Sequence, residues 1–234
     1  VDYDLWVQKI LYWVKEYSSL NCRNILEIAC GTANISSKLT SLGYNVAACD
    51  KSASMLRIAR QKLSRPNLYR ATMTDCILPA KYDLILCMFD SVNYLLTDSD
   101  FTLMLNNVYA SLNEGGLFIF DISTIANSID NFNDVCNVTI DGDILLTHEA
   151  YYNHDLKRQI SRLHLFEKRY HTFIHSFEQH DQRVYLCKEI IDFISSTKFN
   201  LCAVHNPDIK SNFYPKNMNQ IDKKNHRLFF ILSK

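Results

Sequence analysis

No charge imbalance, no membrane-length apolar run and no zinc-type cysteine spacing mark this sequence, and each absence removes a class of function. Lys and Arg number 25 and Asp and Glu number 25, so the formal net charge is +0. A chain without a basic field has nothing to draw in a polynucleotide or an acidic membrane, so neither is an expected partner. No apolar stretch reaches the length a bilayer requires, and the opening residues lack a signal-peptide pattern. Eight cysteines are present, yet none forms a Cys-x-x-Cys pair, so no metal is expected. Cys30, Cys49, Cys87 and Cys202 sit in or beside apolar strand patterns, where cysteine behaves as a small hydrophobe. Reduced thiols in the cytoplasm are the expectation. Internal repeats and low-complexity segments are missing too, and 234 residues suit one domain with a full core.

What the sequence does carry is organised around Asn24-Ile25-Leu26-Glu27-Ile28-Ala29-Cys30-Gly31-Thr32-Ala33-Asn34. A short apolar run closes in a small-residue corner and a helical pattern follows, as when a buried parallel strand passes into a helix. The crevice beyond the carboxyl end of such a strand is where open α/β sheets bind ligands. Glu27 stands near that end, where a carboxylate is costly to bury without a partner; a ligand's cationic ammonium group is one such partner. The next strand, Asn45 to Cys49, ends in Asp50. That is about twenty residues beyond Gly31, where a carboxylate can accept hydrogen bonds from a ribose.

Helices and strands alternate along most of the chain. Leu5, Trp6, Ile10, Trp13 and Val14 recur at helical spacing and predict an amphipathic helix over 3–17. Strands are predicted at 24–29, 45–50, 68–72, 82–88 and 117–121, with helices at 33–42, 52–63 and 100–112 between them. Gly43 ends the first of these helices, Ser52 caps the second, and Gly115-Gly116 turns the chain into the last strand. Such alternation implies a doubly wound parallel sheet. The rhythm breaks from Ile144 to Gln182, where segments such as Ile160 to Leu165 and Thr172 to Phe177 alternate as antiparallel strands. Their turns fall near Asn153-His154-Asp155 and Lys168-Arg169. A helix over 187–197 and strands over 199–205 and 226–231 resume the first pattern. The β-rich block therefore reads as an insertion, a lid over the mouth of the sheet.

Glu27-Ile28-Ala29-Cys30-Gly31-Thr32-Ala33 resembles the first motif of the class I S-adenosylmethionine (SAM)-dependent methyltransferases. Cys49-Asp50-Lys51-Ser52-Ala53-Ser54-Met55-Leu56 resembles the second. Phe89-Asp90-Ser91-Val92-Asn93-Tyr94-Leu95 and the stretch from Leu112 to Asp121 resemble the family's later blocks. The opening Asp2-Tyr3-Asp4-Leu5-Trp6 matches a small-molecule branch with a β-rich insertion. The resemblance spans nearly the whole chain, with its motifs in the family's order. It implies a Rossmann-like, doubly wound, mostly parallel seven-stranded sheet, with the core over 1–122 and 183–234 and an antiparallel β lid over 137–182. It also implies SAM as cofactor and S-adenosylhomocysteine as its product. The corner departs from the family's glycine-rich form, since Ala29 and Ala33 hold two of its glycine positions and Gly31 remains. Alanine suits such a place where φ is negative, not where the backbone turns left-handed. The same lack of glycine argues against a nicotinamide cofactor, whose Gly-x-Gly-x-x-Gly lies against a pyrophosphate.

On that resemblance the cofactor-binding candidates are Tyr3, Glu27, Ala29, Cys30, Gly31, Asp50, Lys51, Met55, Thr74, Asp75, Cys76 and Met88. The family's adenine-bonding acid falls within Met73 to Cys76. Asp90 and Asn93 follow the fourth strand, where a methyl acceptor would sit, although Asp90 and Ser91 can equally cap a short helix. The block there is not the Asn-Pro-Pro-Tyr of amino-methylating DNA enzymes. Glu178, His180 and Gln182 alternate on one strand face, and with Arg183 they match the branch's Glu-x-His-x-Gln-Arg. Glu178 and His180 are thus candidates for acceptor binding and catalysis. Glu149 and Tyr151 share a face on an earlier lid strand and are further acceptor candidates. His171 and His175 make no metal pair, since positions i and i+4 of a strand stand about 13 Å apart. The expected function is methyl transfer from SAM to a small molecule, by a monomer or homodimer. An amine nitrogen is preferred to a hydroxyl, on resemblance to amino-sugar and glycine N-methyltransferases. A hydroxyl acceptor, or a non-catalytic SAM-binding regulatory domain, stays open.

Overall fold

The computed structural model describes residues 1–63, 67–76, 80–206 and 221–234. The central strands are apolar at successive positions, so side chains leave both faces of the sheet and each face needs a helical cover. β1 (Asn24–Ile28), β2 (Asn45–Asp50), β3 (Asn67–Arg70), β4 (Tyr82–Cys87), β5 (Leu112–Ser123), β10 (Asn200–His205) and β11 (Arg227–Ser233) form a seven-stranded sheet. Its order is β10-β11-β5-β4-β1-β2-β3. β1 pairs in parallel with β2 and β4, β2 with β3, and β4 with β5. β11 runs antiparallel between β5 and β10. This is the mostly parallel, doubly wound sheet that the alternation implied.

α1 (Tyr3–Tyr17) and α2 (Asn34–Ser41) cover one face, where Ile10, Trp13, Ile35 and Leu39 pack on Ile25, Leu84, Ile119 and Phe229. α4 (Asp98–Ser111) and α6 (Cys187–Ser195) cover the other, with Phe101, Leu105 and Ile190 against Ile28, Phe118, Phe120 and Phe230. α3 (Ala53–Lys62) is capped by Ser52, whose side chain accepts the Met55 N–H at 3.3 Å. From β1 the chain winds to β2 and β3 on one side and to β4 and β5 on the other. A crevice opens at that reversal, at the carboxyl ends of β1 and β4.

Two boundaries differ from the sequence reading for physical reasons. Gly115 and Gly116 do not turn the chain into β5, which already begins at Leu112; they lie where its register against β4 shifts. The insertion begins at Val135, after an unforeseen helix, α5 (Ile125–Phe132). Its first strand, β6 (Val135–Asp141), is exposed almost throughout, so burial imposes no clear pattern on it. β7 (Ile144–Asn153), β8 (Arg158–Arg169) and β9 (Thr172–Arg183) complete a four-stranded antiparallel sheet in chain order. One face of this lid, bearing Ala150, Tyr152, Gln159, Ser161 and Gln182, is buried. His171 lies outside the strands, and His175 stacks on His164 with ring nitrogens 3.0 Å apart. Among the described residues no His, Cys, Asp and Glu group is arranged to hold a metal, and no helix is long and apolar enough to cross a membrane.

The bulge in β5 makes a steric prediction. A Cβ on Gly116 would stand 2.9 Å from the Asn113 carbonyl oxygen and 3.2 Å from that of Asp83, both backbone atoms. Gly116→Ala should destabilise the fold by about 1–3 kcal/mol, read as a lower urea midpoint. An unchanged midpoint would mean that the bulge yields freely.

Candidate active site

β1 ends in a turn built against ordinary steric preference. Ala29 at φ 53°, Gly31 at φ 55° and Ala33 at φ 57° are all left-handed. The alanines therefore occupy the conformation to which the sequence reading held them unsuited, at about 1–2 kcal/mol each. Asp50 braces the turn: its Oδ2 accepts the Gly31 N–H at 2.8 Å and its Oδ1 the Ser52 N–H at 2.8 Å. A Cβ on Gly31 would meet nothing within 4 Å, so the backbone faces open space that a ligand can approach.

Glu27 is 3% exposed, and a partner for it comes from within the chain. Its Oε2 accepts the Ser36 N–H at 2.9 Å and also the Ser36 hydroxyl. Ser36 lies in the first turn of α2, the helix end that favours negative charge. Burial still dominates, lifting the Glu27 carboxyl from 4.5 to about 7 against the opposing Ser36 bonds.

The other cofactor candidates gather at the same edge of the sheet. Lys51 and Met55 are exposed at the start of α3, and Thr74 and Asp75 lie beyond β3, where Asp75 accepts the Thr72 hydroxyl at 3.0 Å. Cys30, Cys76 and Met88 are buried, with Cys76 Sγ 2.7 Å from Cys49 Sγ. Tyr3 reaches the edge from α1, its ring edge-on to Phe89 at 5.6 Å. A separate cavity of about 440 Å³, lined by residues including Arg23 and Tyr44, opens at the amino ends of β1 and β2, the opposite end of the sheet.

Beyond β4 the backbone is strained again, at Phe89 with φ 60° and Asp90 with φ 50°. Asp90 precedes a single 3₁₀ turn, Ser91–Tyr94, but its side chain caps nothing. Its two oxygens face Arg227 Nη2 at 2.8 Å and Gln182 Nε2 at 2.7 Å. Its N–H donates to Asp121 Oδ2 at 2.8 Å, which also accepts from Arg227 Nη1. Burial raises the Asp121 carboxyl to about 6, with Arg227 pulling the other way. Asn93 is buried, its amide donating to the Ser123 and Arg183 carbonyls and accepting the Ser123 N–H.

The lid brings Glu178 and His180 to this edge. His180 Nδ1 lies 3.0 Å from Tyr94 Oη, and His180 Nε2 lies 3.3 Å from Glu178 Oε2. Glu149 and Tyr151 require a correction. Glu149 pairs with Arg162, whereas Ala150 pairs with Ser161 and Ser161 with His180. The pleat thus turns Glu149 and Tyr151 to the face opposite His180, away from the core. Their spacing established that they share a face and said nothing of its direction. Tyr94, Asp121 and Arg227 were not singled out from sequence, although Tyr94 lies within the Phe89 to Leu95 block and Asp121 closes the Leu112 to Asp121 block. Arg227 offered no such signal, because its partners Asp121 and Asp90 are 106 and 137 residues away.

Residues 25–116 match a family model described as a methyltransferase domain. A Bacillus subtilis (strain 168) protein assigned as a methyltransferase is 28% identical over 206 residues, covering 86% of this chain and 81% of its own. A crystal structure of a SAM-dependent methyltransferase from Clostridium acetobutylicum ATCC 824 superposes with a TM-score of 0.84 at 24% identity, over 100% of this chain and 92% of that one. With the strained turn, Asp50 and Glu27 at the carboxyl edge, the methyltransferase domain and the methyltransferase relatives support a SAM-dependent methyltransferase. A second relative, the dTDP-3-amino-3,4,6-trideoxy-α-D-glucopyranose N,N-dimethyltransferase of Streptomyces venezuelae, is 29% identical over 98 residues, 42% of this chain and 41% of its own.

Two predictions follow from the turn and its carboxylates. Hydrogen bonds to a charged group contribute about 1.5–3 kcal/mol each. Asp50→Ala should therefore weaken SAM at least tenfold, since about 1.4 kcal/mol is one decade. Calorimetry finding parental affinity would remove Asp50 from the site. Glu27 has a carboxyl raised on folding from 4.5 to about 7, so between those values the native state holds more protons than the unfolded chain. Stability must then fall as pH rises through that window, and Asp121, raised from 3.8 to about 6, adds to the slope. Glu27→Gln should flatten the decline, seen in urea midpoints at pH 4.5 and pH 8. A slope identical to that of the parent would show that Glu27 does not titrate on unfolding.

Proposed function

We propose that this chain transfers a methyl group from SAM to an amine nitrogen of a small molecule. The observation that carries the reading is the inward lid face, which places an imidazole and a carboxylate, His180 and Glu178, at the carboxyl edge of β4. An amine attacks only after losing its proton, and such a pair can take or relay one. A carboxylate above the mouth also favours a cationic amine over a neutral hydroxyl. The amino sugar in the name of the Streptomyces relative supports the same choice. When bound, SAM supplies a methyl group on a sulfonium, an electrophile that needs alignment and exclusion of water more than activation.

The chain's residues divide the work. The Ala29 to Ala33 turn, with its open approach at Gly31, and Asp50 would hold the ribose and amino-acid portions of the cofactor, and the Thr74 to Cys76 segment the adenine. Glu27 fixes the amino end of α2 through Ser36 and leaves a carboxylate beneath the turn. Trp6, stacked on Phe89 at 4.1 Å, and Tyr3 close the side of the crevice from α1. The lid then selects the acceptor, while the donor is held by the sheet edge.

Incubation with SAM and a panel of small amines and amino sugars, read by mass spectrometry, tests the transfer. Replacing His180 and Glu178 together with alanine should lower turnover by roughly a hundredfold or more, with SAM affinity within a few-fold of the parent. Loss of SAM binding in a folded double mutant would contradict the division between lid and sheet edge.

A further inference from the structure

Tyr94 closes the 3₁₀ turn after β4. Lys51, just past the end of β2, brings its Nζ to 5.6 Å from the Tyr94 ring centroid. β2 and β4 flank β1 on opposite sides, so this contact joins the two sides of the strained corner at the end of β1. The Tyr94 hydroxyl meets the lid at His180 Nδ1, 3.0 Å away, with the two rings edge-to-face at 76°. The remaining ring nitrogen of His180 faces Glu178 at 3.3 Å. A carboxylate only accepts, so it favours the tautomer with the proton on Nε2, and Nδ1 then accepts the tyrosine proton.

This arrangement has a consequence for the roles of the three side chains. Both nitrogens of His180 are engaged, one with Tyr94 and the other with Glu178, so the imidazole has no free nitrogen for an acceptor. The phenolic oxygen keeps a lone pair after donating its proton, and Tyr94 is 37% exposed, within reach of a small molecule. Resting on the methyl-transfer reading above, we infer that Tyr94 is the residue that touches the acceptor and takes its proton, with His180 as the positioning residue behind it. The proton on the acceptor's ammonium nitrogen passes to Tyr94 Oη as the phenolic proton passes to His180 Nδ1. The nitrogen keeps the electron pair of the broken N–H bond and becomes the neutral nucleophile. The imidazole becomes imidazolium, with its new charge facing the Glu178 carboxylate, and tyrosine is left with a proton as before. The charged groups facing Tyr94 from neighbouring elements are Lys51 beyond β2, Asp90 just past β4 and Glu178 on β9; burial, then the two carboxylates, raise the phenol above its usual value and keep it protonated.

A latch between lid and core is the competing role for the same contact, and Tyr94→Phe separates the two because it keeps the ring and deletes the hydroxyl. The relay predicts a fall in kcat of roughly a hundredfold or more, with SAM affinity by calorimetry within a few-fold of the parent. It also predicts that the pH dependence of the rate changes in the variant. Nuclear magnetic resonance gives a readout independent of turnover. Addition of an amine acceptor should shift the His180 ring resonance in the parent, and the shift should be lost in Tyr94→Phe. A Tyr94→Phe enzyme with parental kcat and pH profile overturns the relay, as does a rate loss equal at every pH with the His180 shift intact. If the parent binds SAM but methylates no amine, the amine reading itself fails and this inference with it. If the parent turns over and the variant matches it, the relay alone fails.

Discussion

The architecture around the site depends on one guanidinium. Arg227 reaches from β11 to Asp121 on β5 and Asp90 beyond β4, so a single cation answers two carboxylates. Asp121 is fully buried, and its Oδ1 has no hydrogen-bond partner. A carboxylate taken out of water costs several kcal/mol unless its charge is met, which makes Arg227 the condition for everything arranged about it. The lid is tied to the same point. Gln182 donates to Asp90, Gln159 to Gln182 and Ser128 to Gln159, a buried chain of amides running from the core into β8, β9 and α5. Arg227 also lies 5.4 Å from the Trp6 ring, so the helix that flanks the crevice leans on the same group. Sheet, lid and first helix are positioned by one charge cluster.

Backbone strain concentrates at the same edge. Ala29, Ala33, Phe89 and Asp90 are left-handed without being glycine, and all four border the reversal between β1 and β4. At about 1–3 kcal/mol apiece, they withhold an amount comparable with the 5–15 kcal/mol that typically separates folded from unfolded protein. Such conformations persist only where surroundings enforce them. Asp50 enforces the first pair by binding the Gly31 N–H, and the Asp90 N–H to Asp121 bond enforces the second. Carboxylates that accept backbone N–H groups thus set the shape of the mouth on both sides of the reversal.

What was legible in the sequence was local. The strand-to-helix corner, the helical cap at Ser52 and the alternation within the lid are set by residues a few positions apart, and the structure has them where the pattern implied. The sheet itself followed from alternation of elements. The shortfalls all involve partners distant in the chain. Asp90 read as an acceptor-binding residue or a cap, because nothing nearby shows that Arg227 and Gln182 await it. Glu149 and Tyr151 were rightly placed on a common face, but only the docking of the lid decides which face turns inward. Glu27 was expected to need a partner, a ligand's ammonium group being one, and Ser36, nine residues on, already bonds it. β6, nearly all exposed, left no burial pattern to read.

The position of β11 sets an order of events during synthesis. The lid strands follow one another and pair with their neighbours, so that sheet needs only short loops to close and can form early. The core cannot finish on the same schedule, because β11 follows every other described strand yet lies inside the sheet, between β5 and β10. Until residues 227–233 have been added, β5 and β10 expose open edges, and the Asp121 and Asp90 carboxylates face each other without their cation. A chain without those residues would hold a lid able to form on an unfinished core, with unpaired strands of the kind chaperones bind. Substitutions in β11 should for that reason burden newly made chains more than molecules that have already folded.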